Sequence, residues 1–180
     1  MSVKSNIKIA PGAIVCNECE LKGDISIGAK TVIHPKARII AEAGPIIIGE
    51  NNLIEEQSQI LNIDPSPVDG QNEAVMIIGN NNTFEVGCEV SCLKIGDNNI
   101  VEAKSFVGRN SNMSNGCIIG AGCKITTEET MDENIVVYGG DCKRRKGVDK
   151  PVPQHLQIDF LCKVLPNYHH LKKATKKSAA

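Results

Sequence analysis

The chain has 180 residues, room for one domain with a continuous core and little room for two. Its 20 basic and 21 acidic residues leave a formal charge of -1, which excludes a dominant polyanion-binding role and argues against nucleic acid as a partner. No apolar run approaches the ~20 residues of a membrane span. Residues 1–6 lead into no signal-like stretch, so the eight cysteines are expected as reduced thiols of an intracellular protein rather than as a disulfide framework.

From Ile9 onward an aliphatic residue returns at every sixth position, through Val15, Leu21, Ile27, Ile33 and Ile39. The period is neither helical nor that of a simple strand, and it marks an internal repeat. After an insertion around Glu42-Ala43-Gly44-Pro45 it resumes at Ile48, Ile54 and Ile60, and after a longer one at Ile78, Phe84 and Val90. It then runs from Ile95 through Val101, Val107, Met113, Ile119, Ile125 and Met131 to Val137. Glycine often follows the aliphatic, as at Gly28, Gly49, Gly79, Gly96, Gly108 and Gly120, where a bare backbone permits close approach. Asn51-Asn52, Asn81-Asn82 and Asn98-Asn99 come next, residues that tolerate left-handed dihedrals, so each hexad reads as a short strand and a turn. The fifth place holds small residues, among them Ala37, Ser58, Cys88, Ser105 and Cys123.

This pattern resembles the hexapeptide-repeat family of left-handed parallel β-helices, in which three hexads make one triangular coil and the first residue of each points into the bore. The expected fold is an all-β solenoid over residues 1–142, with a loop inserted at 61–76. Asp64-Pro65-Ser66-Pro67 and the residues up to Glu73 have the composition of a protruding loop. Residues 143–180 are expected to form a linker, an amphipathic helix and a solvated basic tail. The helix is read from Leu156, Phe160, Leu161, Val164 and Leu165, which recur at helical spacing, with Pro166 breaking or kinking it or starting a second short helix that contains Tyr168 and Leu171. The tail is Lys172-Lys173-Ala174-Thr175-Lys176-Lys177.

Two enzyme groups share such a fold, so activity has to be argued from residues. Lys22-Gly23-Asp24 resembles a segment of the γ-class carbonic anhydrases, whose metal is held by three histidines. Where that family places them, this chain has residues near Ala41, Glu55-Glu56-Gln57-Ser58 and Asn62, which do not rebuild a zinc site with an open position. The hexapeptide acyltransferases use a histidine base. His34 is the one histidine within the repeats, and its neighbour Pro35 suggests an outward turn. Cys16-Asn17-Glu18-Cys19 is a single CxxC with no second pair. Glu55, Glu85 and Glu102 share the second hexad place and read as a solvated face, and His169-His170 would diverge on a helix. No catalytic, cofactor-binding or metal-ligating residue is therefore assigned, and no cofactor is expected.

Residues 8–13, 31–45, 52–57 and 84–88 go beyond the generic repeat. So does Leu165-Pro166-Asn167-Tyr168-His169-His170-Leu171-Lys172-Lys173, which lies outside it. Together they resemble the dynactin subunit 6 family. That resemblance implies a cytoplasmic, cytoskeleton-associated, non-catalytic subunit of the dynactin pointed-end complex, which supports dynein-based transport along microtubules. It implies as partners a second β-helix subunit (dynactin subunit 5), the other pointed-end subunits and the actin-related filament.

Overall fold

The computed structural model describes residues 5–66 and 74–175. They form a parallel β-solenoid of about 7 turns, closed on one flank by a single C-terminal helix. The repeat explains the architecture directly, because the aliphatic places stack into three columns. One runs Val15, Ile33, Ile54, Phe84, Val101, Ile119, Val137, each paired in parallel with the next. A second runs Leu21, Ile39, Ile60, Val90, Val107, Ile125. The third runs Ile9, Ile27, Ile48, Ile78, Ile95, Met113, Met131. All of these side chains are buried in the bore except Leu21, which is half-buried against it. Single coils bury too little to stand alone, so stability comes from this stacking.

The corners carry the turn chemistry. Asn51, Asn81, Asn98 and Asn134 have positive φ between 54° and 60°, as their residue type suggests. Behind that corner the fifth-place residues Thr31, Asn52, Asn82, Asn99 and Cys117 form a buried hydrogen-bonded ladder. Each backbone N–H of Asn82, Asn99 and Cys117 donates to the preceding asparagine Oδ1, at 2.9, 2.8 and 2.7 Å. The Asn52 and Asn82 amides donate to Gly79 O at 2.8 Å and Gly96 O at 2.9 Å. The glycine column beside it is held by close approach. A Cβ on Gly28 would run into the Gly49 carbonyl. Gly28→Ala is therefore expected to cost roughly 1–3 kcal/mol, read as a lower urea midpoint with an unchanged slope.

The insertion at residues 42–45 does not interrupt the sheet. The strand Arg38–Ile48 runs round the corner in one piece beside Glu20–Ile27, with a register shift between Gly23 and Ile25. In the longer insertion, Leu61 and Asn62 still belong to the strand Gln59–Asn62, and Met76 opens the strand Met76–Ile78. Pro67 and the rest of the loop centre, up to Glu73, lie outside the described residues.

Three features of the C-terminal region differ from the sequence reading. Lys143–Lys146, within the stretch expected as linker, is a strand antiparallel to Ile135–Tyr138. It is set by the edge it pairs with rather than by any apolar pattern of its own, since all four residues are exposed. The helix His155–Tyr168 runs through Pro166 without stopping. It lays Ile158, Leu161, Cys162 and Leu165 on Ile14, Cys16, Val32 and Leu53, whereas Leu156 and Phe160 point outward at 87% and 61% exposure. Residues 170–175 are a strap rather than a solvated tail, bonded to the first coil by Asn17 N–H to His170 O at 2.7 Å and Lys172 N–H to Val15 O at 2.8 Å. Lys176 and Lys177 lie outside the described residues.

Candidate interaction surface

The second hexad place stacks His34, Glu55, Glu85 and Glu102 along one corner of the solenoid. The glutamates are not free bases. Glu55 Oε2 accepts the Val86 N–H at 3.2 Å, Glu85 Oε2 the Ala103 N–H at 3.0 Å and Glu102 Oε2 the Ala121 N–H at 2.8 Å. They tie coil to coil, using donors that would otherwise face solvent. Burial holds the Glu85 carboxyl above its usual value. The Ala103 N–H works the other way, and the charges of Glu102 and Glu55 add to the rise.

His34 lies deeper than its sequence setting suggests. It is half-buried, its Nε2 has no hydrogen-bond partner, and burial depresses its basicity. The C-terminal region contributes to this environment, because the positive potential of His169 depresses it further while Glu56 opposes. His169 itself lies just past the helix end, with Nδ1 3.4 Å from Glu18 Oε1. The CxxC cysteines are divided between two cores. Cys19 lines the bore and Cys16 packs under the helix, and burial pushes both thiols up to about 11. Cys88 and Cys92, in the bore, rise to about 12 for the same reason. Thiols so protonated are poor nucleophiles and poor metal ligands.

Two sets of residues take roles that sequence reasoning did not assign them. Arg109, with its side chain 11% exposed, grips the base of the long loop through Ser66 O at 2.8 Å and an ion pair with Asp64 at 3.7 Å. The loop's other anchor is Asn62, whose amide donates to Gly44 O at 3.0 Å and also to Ala74 O. The second set is apolar and outward. Leu156 and Phe160, one turn apart on the helix, face away from the solenoid, with Val152 exposed just before them. Of the chain's three phenylalanines and two tyrosines, only Phe84 is in the bore, and Tyr138, Phe160 and Tyr168 are exposed. Exposed aromatics beside apolar residues are the composition of an assembly contact rather than of a reaction centre.

At the far end of the bore, Arg144 closes over Glu129 with a two-point ion pair and also donates to Cys142 O at 2.8 Å. The guanidinium holds the Glu129 carboxyl below its usual value. A carboxylate with a depressed folded pKa adds stability above its unfolded pKa and loses it as pH falls through the folded one. Unfolding by urea is therefore expected to become easier on acidification below the ordinary carboxylate range. In Arg144→Met this part of the pH dependence should shrink, and an identical pH profile for both proteins would count against the pair.

No family model matches the chain. Among solved structures, it resembles a hexapeptide transferase family protein from Anaplasma phagocytophilum at 20% identity and a TM-score of 0.67, covering 90% of this chain and 88% of that one. It also resembles a Francisella novicida UDP-N-acetylglucosamine acyltransferase at 16% identity and a TM-score of 0.55, covering 79% and 66%. At such identities the likeness shows the fold alone, a left-handed parallel β-helix. The sequence relatives are much nearer. Dynactin subunit 6 of Xenopus tropicalis is 60% identical over 174 residues, covering 95% of this chain and 87% of its own length. That of Nematostella vectensis is 58% identical over 175 residues, covering 94% of each. That of Caenorhabditis elegans is 34% identical over 183 residues, covering 100% of this chain and 98% of its own length. With this identity running the length of the solenoid, helix and strap alike, the chain belongs to the dynactin subunit 6 family.

Proposed function

We propose that the chain is a non-catalytic structural subunit of dynactin, placed in the pointed-end subcomplex and serving dynein-based transport along microtubules in the cytoplasm. The observation that carries this reading is the 60% and 58% identity to named dynactin subunits over nearly the whole chain. In this reading residues 1–142 are the scaffold domain and residues 143–180 the C-terminal arm, whose described part, up to Thr175, dresses the ends and one flank of the solenoid. The partners are dynactin subunit 5, the other pointed-end subunits and the actin-related filament. Support for a non-catalytic role comes from the candidate groups themselves. The glutamates of the corner column are committed to backbone donors, the thiols of Cys16, Cys19, Cys88 and Cys92 are held protonated, and His34 is half-buried with its basicity depressed.

Mild affinity purification from cell extract, with mass spectrometry of the recovered proteins, tests the assignment. Recovery of dynactin subunit 5, the large arm subunit and actin-related protein is the expected result. A homotrimer that binds coenzyme A and brings down none of them would overturn it in favour of an acyltransferase-like enzyme, with His34 as the first residue to replace.

A further inference from the structure

The last described residue, Thr175, makes more bonds to the first coil than any other residue of the strap. Its N–H donates to Ile9 O at 2.9 Å, its Oγ1 accepts the Ile9 N–H at 2.9 Å and donates to Ile7 O at 3.4 Å. The strand Asn6–Ile9 pairs with Glu20–Ile27 on its other side, so without Thr175 its outer edge would present unpaired groups. The threonine is nevertheless an exposed residue. In sequence it follows Lys172, Lys173 and Ala174 and precedes Lys176 and Lys177. Basic residues two and three places before a hydroxyl are a charge pattern of the kind by which kinases choose substrates.

We propose that Thr175 is a phosphorylation site for a protein kinase selective for basic sequences, and that its modification undocks the strap from the first coil. In the transfer, Thr175 Oγ1 forms a bond to the γ-phosphorus of ATP while the bond to the bridging β,γ oxygen breaks. The hydroxyl proton passes to the kinase base and ADP leaves. The product carries a charge near −2 at neutral pH and no donor. The bond to Ile7 O is replaced by repulsion between two oxygens, and the bulk of the phosphate opposes the close approach to Ile9. Undocking frees the N–H of Ile9 and of Asn17, the groups that the strap now covers.

The test treats the full-length chain with ATP and the catalytic subunit of a kinase of this class, locates the phosphate by mass spectrometry and follows amide hydrogen exchange. Modification of Thr175 in the folded protein is expected. Exchange at Ile9 and Asn17 should quicken by at least about tenfold, while amides near Val101 stay unchanged. A kinase that modifies a free peptide of residues 170–177 but not Thr175 in the folded chain would overturn the proposal, as would modification with unchanged exchange. Thr175→Val lacks the hydroxyl without adding charge. Because the valine also removes the acceptor of the Ile9 N–H, the readout in this variant is Asn17: exchange there as fast as in the phosphorylated protein would also overturn the proposal, by showing that the phosphate is not the lever.

Discussion

Asn82→Ala is expected to lower the stability of the chain by roughly 2–5 kcal/mol. The figure follows from what the side chain leaves behind. Asn82 donates to Gly96 O at 2.9 Å and accepts from the Asn99 N–H at 2.8 Å. Both bonds lie inside a corner where Asn52, Asn82 and Asn99 are at most 1% exposed. Alanine removes at once the partner of a buried donor, the Asn99 N–H, and of a part-buried acceptor, Gly96 O; an orphaned buried group costs about 1–3 kcal/mol, and the part-buried one lies toward the low end. For a domain whose whole stability is ~5–15 kcal/mol, that is a fall in Tm on the order of 5–15 °C. Asn82→Thr should recover part of the loss. Thr31 does the same work two rungs away, donating to Gly49 O at 2.7 Å and accepting the Asn52 N–H at 3.3 Å. A change under about 1 kcal/mol in Asn82→Ala would mean that water enters the corner and the ladder is not a closed network.

How far the sequence discloses the molecule depends on whether a feature is periodic. The bore is, so Val101 or Ile119 can be assigned to it by counting. The left-handed corners at Asn81 and Asn98 follow from residue type, but those at Lys36, Gln57 and Lys104 do not, because the repeat imposes positive φ there on residues with no taste for it. The C-terminal region is not periodic with the solenoid, and its contacts are set by what it lands on. Ile158 is inward and Phe160 outward because the helix chooses its rotation by packing on Val32 and Leu53, which helical spacing alone cannot specify. The strap is illegible for a related reason. His170, Lys172 and the Thr175 N–H dock through backbone groups to an edge some 160 residues earlier, and backbone hydrogen bonds leave no mark in side-chain composition. His34 reads as an exposed turn residue, whereas the structure holds it half-buried within the electrostatic reach of His169.

Phe160→Asp is expected to separate assembly from folding. Phe160 and Leu156 project from the face of the helix opposite the one that covers Ile14, Cys16, Val32 and Leu53. An acidic residue there should leave the isolated chain within about 0.5 kcal/mol of its parent stability. If this face contacts another dynactin subunit, an aromatic anchor lost from the centre of an interface costs ~2 kcal/mol or more. A loss of that size weakens binding roughly 30-fold. Affinity purification of Phe160→Asp should then return the variant folded but depleted of the other subunits. Ile158→Asp provides the contrast, since Ile158 is 2% exposed. Placing a charge there should unseat the helix, lower stability and lose the partners together. The two variants read opposite faces of one helix. If Phe160→Asp brings down the full set of subunits undiminished, the outward stripe is not the contact. The search would then move to the exposed Ile47 and Ile77, which stand side by side on another face of the solenoid.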